Sequence, residues 1–126
     1  MVTDPIANML VSIKNSQAAG RASVELGYSK TKEAIVKILV ERGFIKDYKV
    51  KGEVPTKTLE LNLSDNPILH MRRISSPGSR QYRQAKFLPR PLRGRGLVVV
   101  STSKGIMSGA SAYRHGLGGE IICEVY

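Results

Sequence analysis

From Asn66 to Gly119 the chain carries ten Lys and Arg residues and not one Asp or Glu. Folding gathers those like charges, and their repulsion opposes compaction unless a ligand of opposite sign relieves it. The flanks differ: ten basic residues stand against eight acids up to Asp65, and Glu120 and Glu124 follow the block, so the net charge of +10 resides in the middle. Residue type changes as well. Eight of the ten basic residues before Asn66 are Lys, whereas eight of the ten after it are Arg: Arg72, Arg73, Arg80, Arg83, Arg90, Arg93, Arg95 and Arg114. Guanidinium is planar, weakly hydrated and always charged, which suits bidentate phosphate contacts and stacking on bases. The pattern implies a polyanion, a merely solvated basic face being the alternative. An anionic membrane would call for an amphipathic basic helix; Gly and Pro interrupt this block instead, and no membrane partner is expected.

A chain of 126 residues suffices for one domain or two small subdomains. It has a single cysteine, Cys123, no run of eighteen apolar residues and no apolar leader after Met1. A reducing, soluble compartment is therefore expected. With no Trp, five Tyr and two Phe, the core must be mainly aliphatic, and no aromatic-lined pocket for a small-molecule substrate is expected.

Thr3-Asp4-Pro5 reads as a helix start, followed by Ile6, Met9, Leu10 and Ile13 at helical spacing, with Lys14, Asn15 and Gln17 left for solvent or a partner. Ala22, Val24 and Leu26 alternate with polar neighbours as a short strand. Ser29 can cap a second helix carrying Ile35, Ile38 and Leu39 and ending at Gly43. Phe44 to Lys51 and Thr58 to Leu63 read as paired strands. The turn-rich Ser64-Asp65-Asn66-Pro67 coincides with the charge shift and sets a boundary between residues 1–65 and 66–126. Beyond it, Ile68 to Ile74 and Arg80 to Arg83 are candidate strands around a Ser75 to Gly78 turn, and Leu97 to Thr102 and Glu120 to Tyr126 are clear ones. Ser103 to Gly119 reads as loops around a short helix near Ser108 to His115, with glycines that let backbone approach a ligand. The expected class is α+β: two packed α/β subdomains, the first helix, strand, helix, strand, strand, the second mostly β with a short helix.

The densest polar run is Ser101-Thr102-Ser103-Lys104-Gly105, where three hydroxyls, a cation and a flexible residue suit phosphates, ribose hydroxyls and base edges. Ser and Thr also satisfy backbone groups at strand ends, so a structural role stands beside the binding one. Tyr82 between Arg80 and Arg83 can stack on a base, or simply pack. Arg93-Gly94-Arg95-Gly96 would present two guanidiniums on a loop; a strand follows it, so it is not a dinucleotide-binding turn. Catalysis is poorly supplied. His70 and His115 lie in no recognisable motif, Cys123 sits in an apolar run, no Cys and His spacing suits zinc, and the basic block lacks a carboxylate. No enzymatic activity, metal or cofactor is expected.

These pieces resemble the bacterial-type small-subunit ribosomal protein eight family across essentially the whole chain. The resemblance rests on Asp4-Pro5-Ile6-Ala7-Asn8-Met9-Leu10 with Ile13-Lys14-Asn15, on Gly43-Phe44-Ile45, and on Ser76-Pro77-Gly78 with Arg80 and Tyr82. It is strongest in Val100-Ser101-Thr102-Ser103-Lys104-Gly105-Ile106-Met107 and Gly116-Leu117-Gly118-Gly119-Glu120-Ile121-Ile122-Cys123. It implies direct binding of small-subunit ribosomal RNA in its central domain, a role in subunit assembly, and neighbouring small-subunit ribosomal proteins as partners. The positions it implies for RNA contact are Ser101, Thr102, Ser103, Gly105, the turn from Gly116 through Gly118 and Gly119 to Glu120, and Tyr82; Lys104, Arg80 and Arg83 join them by charge. Glu120 either accepts hydrogen bonds from RNA donors or caps its loop through backbone N–H groups. Lys30, Lys32 and Asn15 are candidates in the first subdomain, with a solvated helix face as the alternative. The chain departs from the family pattern at Gly109 and Ala110, where an acid and a base are expected, at Tyr113-Arg114-His115, and at Arg93 and Arg95. A regulatory binder of messenger RNA, acting off the ribosome, is the other function compatible with these residues.

Overall fold

The computed structural model describes residues 4–53, 55–64, 67–89 and 96–126. The chain is α+β and divides into two compact units: Pro5–Ile68, and Leu69–Tyr126, to which Asp4 also belongs. Each carries one antiparallel sheet.

In the first unit, helix α1 (Pro5–Ala18) buries Met9, Leu10, Ile13 and Ser16, and helix α2 (Lys30–Glu41) buries Ile35, Val36, Ile38 and Leu39. The Ser29 side chain accepts the Lys32 N–H, as its cap position requires. Past α2, Gly43 adopts φ +81°, the Gly43 N–H bonds to the Val40 carbonyl and the Phe44 N–H to that of Leu39. This left-handed closing turn returns the chain toward the sheet. Strands β1 (Ser23–Gly27), β2 (Ile45–Lys51) and β3 (Thr58–Leu63) pair in the order β1-β3-β2. Leu59 and Leu61 of β3 join Phe44, Ile45 and the helix residues in an aliphatic core.

Gln17, left by the sequence for solvent or a partner, finds its partners within the first unit. Its side-chain amide donates to the Phe44 carbonyl at 2.8 Å, and its oxygen accepts the Ile68 N–H at 2.9 Å. Helical spacing placed it outside the apolar stripe, but the Phe44 carbonyl, which also accepts the Ser64 hydroxyl, and the Ile68 N–H draw it inward. Glu33 receives the hydroxyls of Tyr28 and Tyr48, each at 3.0 Å. The Tyr28 hydrogen bond lowers the carboxyl's pKa most; burial opposes it, and the Tyr48 hydroxyl and two lysines reinforce it.

The second unit contains β4 (Met71–Arg73), β5 (Tyr82–Arg83), a 3-10 turn at Ala85–Phe87, β6 (Leu97–Thr102), β7 (Gly105–Ser108), α3 (Gly109–Arg114) and β8 (Gly119–Val125). Its sheet runs β4-β8-β6-β7, with β5 on the start of β8. The expected strand over Ile68 to Ile74 is pared to Met71–Arg73, and that over Arg80 to Arg83 to Tyr82–Arg83, the residues in register with β8; single backbone bonds from Ile74 and Ser75 to β8, and from β8 to Gln81, continue beyond them. A strand missing from the expectation, β7, opens what reads in the sequence as loop. Ser108 caps α3 by accepting the Ser111 N–H, and Ala112 packs with Val98, Val100 and Ile121 against Ile74, Leu88 and Met107. Thr3, Asp65, Asn66 and the segment with Arg90, Pro91, Arg93, Gly94 and Arg95 lie outside the described residues.

Candidate nucleic-acid interface

Cross-strand register brings the sequence-predicted residues of the second unit to one end of its sheet. Tyr82 stands opposite Glu120, Glu120 opposite Ser101, and Ser101 opposite Ile106. In the next row Arg83 pairs with Gly119, Gly119 with Thr102, and Thr102 with Gly105. Residues directly opposite share a face and adjacent rows alternate. Tyr82 and Ser101 therefore lie on the face of Glu120, and Thr102 lies on that of Arg83.

The hydroxyl run does not act as a unit. The Thr102 hydroxyl donates to the Gly105 carbonyl at 2.7 Å and accepts the Lys104 N–H at 3.1 Å, closing the two-residue loop between β6 and β7. Gly105 takes the positive φ, +112°, so Ser103 and Lys104 keep ordinary backbone and project from the tip, exposed. Ser101 is half-buried beside Glu120.

Two side chains of the protein itself bond to Glu120. Its side chain, 18% exposed, accepts the Ser75 hydroxyl and the Arg80 guanidinium, the latter at 2.9 Å. Ser75 in turn accepts the Gln81 N–H. The carboxylate thus ties the chain before the Ser76 to Ser79 turn to the chain after it, and fixes the approach into Tyr82. Burial raises the Glu120 pKa, but the hydrogen bonds from Ser75 and Arg80 and the charges of Arg80 and Arg73 outweigh it, and the net shift is downward.

The glycines also resolve into different roles. Gly116, at φ +68°, ends α3, with its N–H on the Tyr113 carbonyl and the Leu117 N–H on that of Ala112. Gly118 and Gly119 lack room for any side chain: a Cβ would overlap the Arg83 carbonyl at the first and the Ser101 carbonyl at the second. The close approach expected toward a ligand is here an approach to the protein's own strands. A shallow open depression remains, with Tyr82, Arg83, Gln84 and Ala85 on one side and Gly116, Gly118 and Gly119 on the other. Tyr82 is 62% exposed at its rim.

Lys30, Lys32 and Asn15 belong to the other unit. Lys30 and Asn15 are exposed, and the Lys32 ammonium bonds to the Gly27 carbonyl at 3.3 Å. Each histidine has a packing role: His70 stacks on Tyr126 at 4.8 Å between ring centroids, and His115 Nδ1 lies 2.8 Å from the Ser111 carbonyl oxygen. Burial pushes the Cys123 thiol up to about 12, so it is no nucleophile. Among the described residues no three His, Cys, Asp or Glu side chains gather as metal ligands, and no helix is long and apolar enough to cross a membrane.

The fold and the sheet end define a small, basic, two-unit α+β protein that presents hydroxyls, a tyrosine and cations together. The family model described as ribosomal protein S8 matches residues 4–126, and the chain belongs to that family. Similar curated proteins include the "Small ribosomal subunit protein uS8" of Dictyoglomus turgidum, 44% identical over 129 residues that cover 99% of this chain and 98% of that one. Its namesakes in Rubrobacter xylanophilus and Dictyoglomus thermophilum are 43% and 44% identical, each over 99% of this chain and 98% of the relative.

Proposed function

We propose that the protein is a constituent of the small ribosomal subunit that binds the subunit's RNA directly, in its central domain, and supports assembly, and that residues 66–126 make the principal contact. The observation that carries this reading is the pair of cross-strand rows that set Tyr82, Ser101, Thr102, Gly105 and Gly119 at one sheet end, beside Ser103 and Lys104, inside an otherwise acid-free segment. The name of its relatives supports the location. Arginines draw RNA in through phosphate attraction that weakens with salt. The exposed Ser103 hydroxyl, the Tyr82 ring and the backbone around Gly116 discriminate, because hydroxyl and amide groups reward only correctly placed ribose and base partners. Glu120 acts through Arg80 and Ser75 by positioning Tyr82. Neighbouring small-subunit proteins are the further partners, the bacterial-type ribosome in the cytoplasm or an organelle is the setting, and neither cofactor nor small-molecule substrate is involved.

Crosslinking the protein to RNA in whole-cell extract and sequencing the bound fragments tests this. Recovery of one locus in the central domain of small-subunit ribosomal RNA is expected. Recovery of messenger RNA alone overturns it in favour of a regulatory role off the ribosome.

A further inference from the structure

We propose that Phe87 is a second base-stacking platform, taking an unpaired nucleotide of the RNA engaged by the sheet end; the proposal rests on the function inferred above. The segment Tyr82-Arg83-Gln84-Ala85-Lys86-Phe87 has an aromatic residue at each end and a basic residue next to each. Both rings are open to solvent, Tyr82 at 62% and Phe87 at 63%. Gln84 and Ala85, between them, line the depression that faces Gly116.

A lone exposed phenylalanine needs no explanation; the way this one is held does. The Phe87 N–H bonds to the Gln84 carbonyl at 2.9 Å and the Leu88 N–H to that of Ala85 at 3.3 Å. Leu88 packs on the core cluster of Val98, Val100, Ala112 and Ile121. The 3-10 turn is thereby anchored on one side of Phe87, and its backbone is pinned against Gly118 on the other. The ring is displayed from a fixed base, so little ordering remains to oppose binding.

Lys86 places its ammonium 5.2 Å from the Phe87 ring centroid, where it can follow a phosphate while a base covers the ring's free face. Interleaved aromatic rings and cations of this kind grip single-stranded nucleotides by stacking and backbone charge together. Charge also selects the occupant. No carboxylate occurs between Asn66 and Gly119, which favours a nucleic acid over a basic or neutral protein surface.

The chain has no tryptophan, so Phe87→Trp installs a single reporter. Its emission should be quenched when a transcript of the small-subunit RNA central domain is added. Phe87→Ala should weaken binding of that transcript roughly 5- to 150-fold, the equivalent of about 1–3 kcal/mol for one stacked base. Phe87→Tyr should restore binding and Phe87→Leu should not, while thermal melting confirms that all variants fold. Unchanged affinity in Phe87→Ala with unquenched Phe87→Trp, while the transcript still binds, overturns the platform alone. Failure of the unaltered protein to bind the transcript overturns the underlying function, and the platform with it. Emission that responds to RNA-free ribosomal proteins but not to the transcript assigns the ring to a protein contact, and equally overturns the proposal.

Discussion

Thr102 and Ser103 are neighbours with the same functional group, yet the fold assigns them different tasks. Thr102 spends its hydroxyl on the loop, bonded to Gly105 and Lys104, whereas Ser103 stands exposed at the tip. Ser103→Ala should therefore leave the melting temperature unchanged and cost roughly 1 kcal/mol in specific RNA affinity. Thr102→Ala should lower both, since the loop that presents Ser103 loses its brace. Equal melting losses for the two variants would show that this division is mistaken. The glycines separate in the same way. Gly116→Ala meets open space and only the strain of a positive φ, about 1 kcal/mol. Gly118→Ala drives a methyl into the Arg83 carbonyl and should destabilise by on the order of 3 kcal/mol, read by urea unfolding.

At the scale of elements, Glu120 joins strands β8 and β5 to the turn before β5 through Ser75 and Arg80. Its pKa is lowered in the folded protein, so its stabilising effect is present above the unfolded glutamate value of about 4.3 and is lost as pH falls through the lower folded value. Glu120→Gln should flatten that acid limb in a stability-versus-pH profile and weaken RNA binding at neutral pH by loosening Tyr82; an unchanged limb would show that the pairing contributes nothing. Local signals made much of the architecture legible. Ser29 and Gly43 bracket α2, and the alternation of Leu59, Leu61 and Leu63 marks β3. Strand β7 was hidden because Gly105-Ile106-Met107-Ser108 is too short for a period to emerge. The partners of Glu120, 40 and 45 residues away in sequence, and the inward turn of Gln17 arise only from tertiary pairing, which no local pattern encodes. The hydroxyl run was visible as a candidate, while the split between Thr102 and Ser103 depended on loop geometry.

Across the whole molecule, net charge and sheet-end chemistry should separate experimentally into attraction and discrimination. Arg80 is neutralised by Glu120 at 2.9 Å, whereas the exposed Arg83 guanidinium donates to the Tyr82 carbonyl at 2.7 Å. Arg83→Ala should reduce the slope of log affinity against log salt by roughly 0.7–0.9, the value of one phosphate contact, and Arg80→Ala by less. The proposed role of the uncharged groups at the end of the second sheet is to decide which RNA is retained. It is tested most directly by measuring the affinity of the full chain and its Ser103→Ala and Tyr82→Ala variants for the central-domain transcript and for an unrelated RNA of equal length. The unaltered protein should prefer the ribosomal transcript, and both variants should lose affinity for it while binding the unrelated RNA nearly as before. Equal binding of the two RNAs, or equal losses on both, would rule out that role.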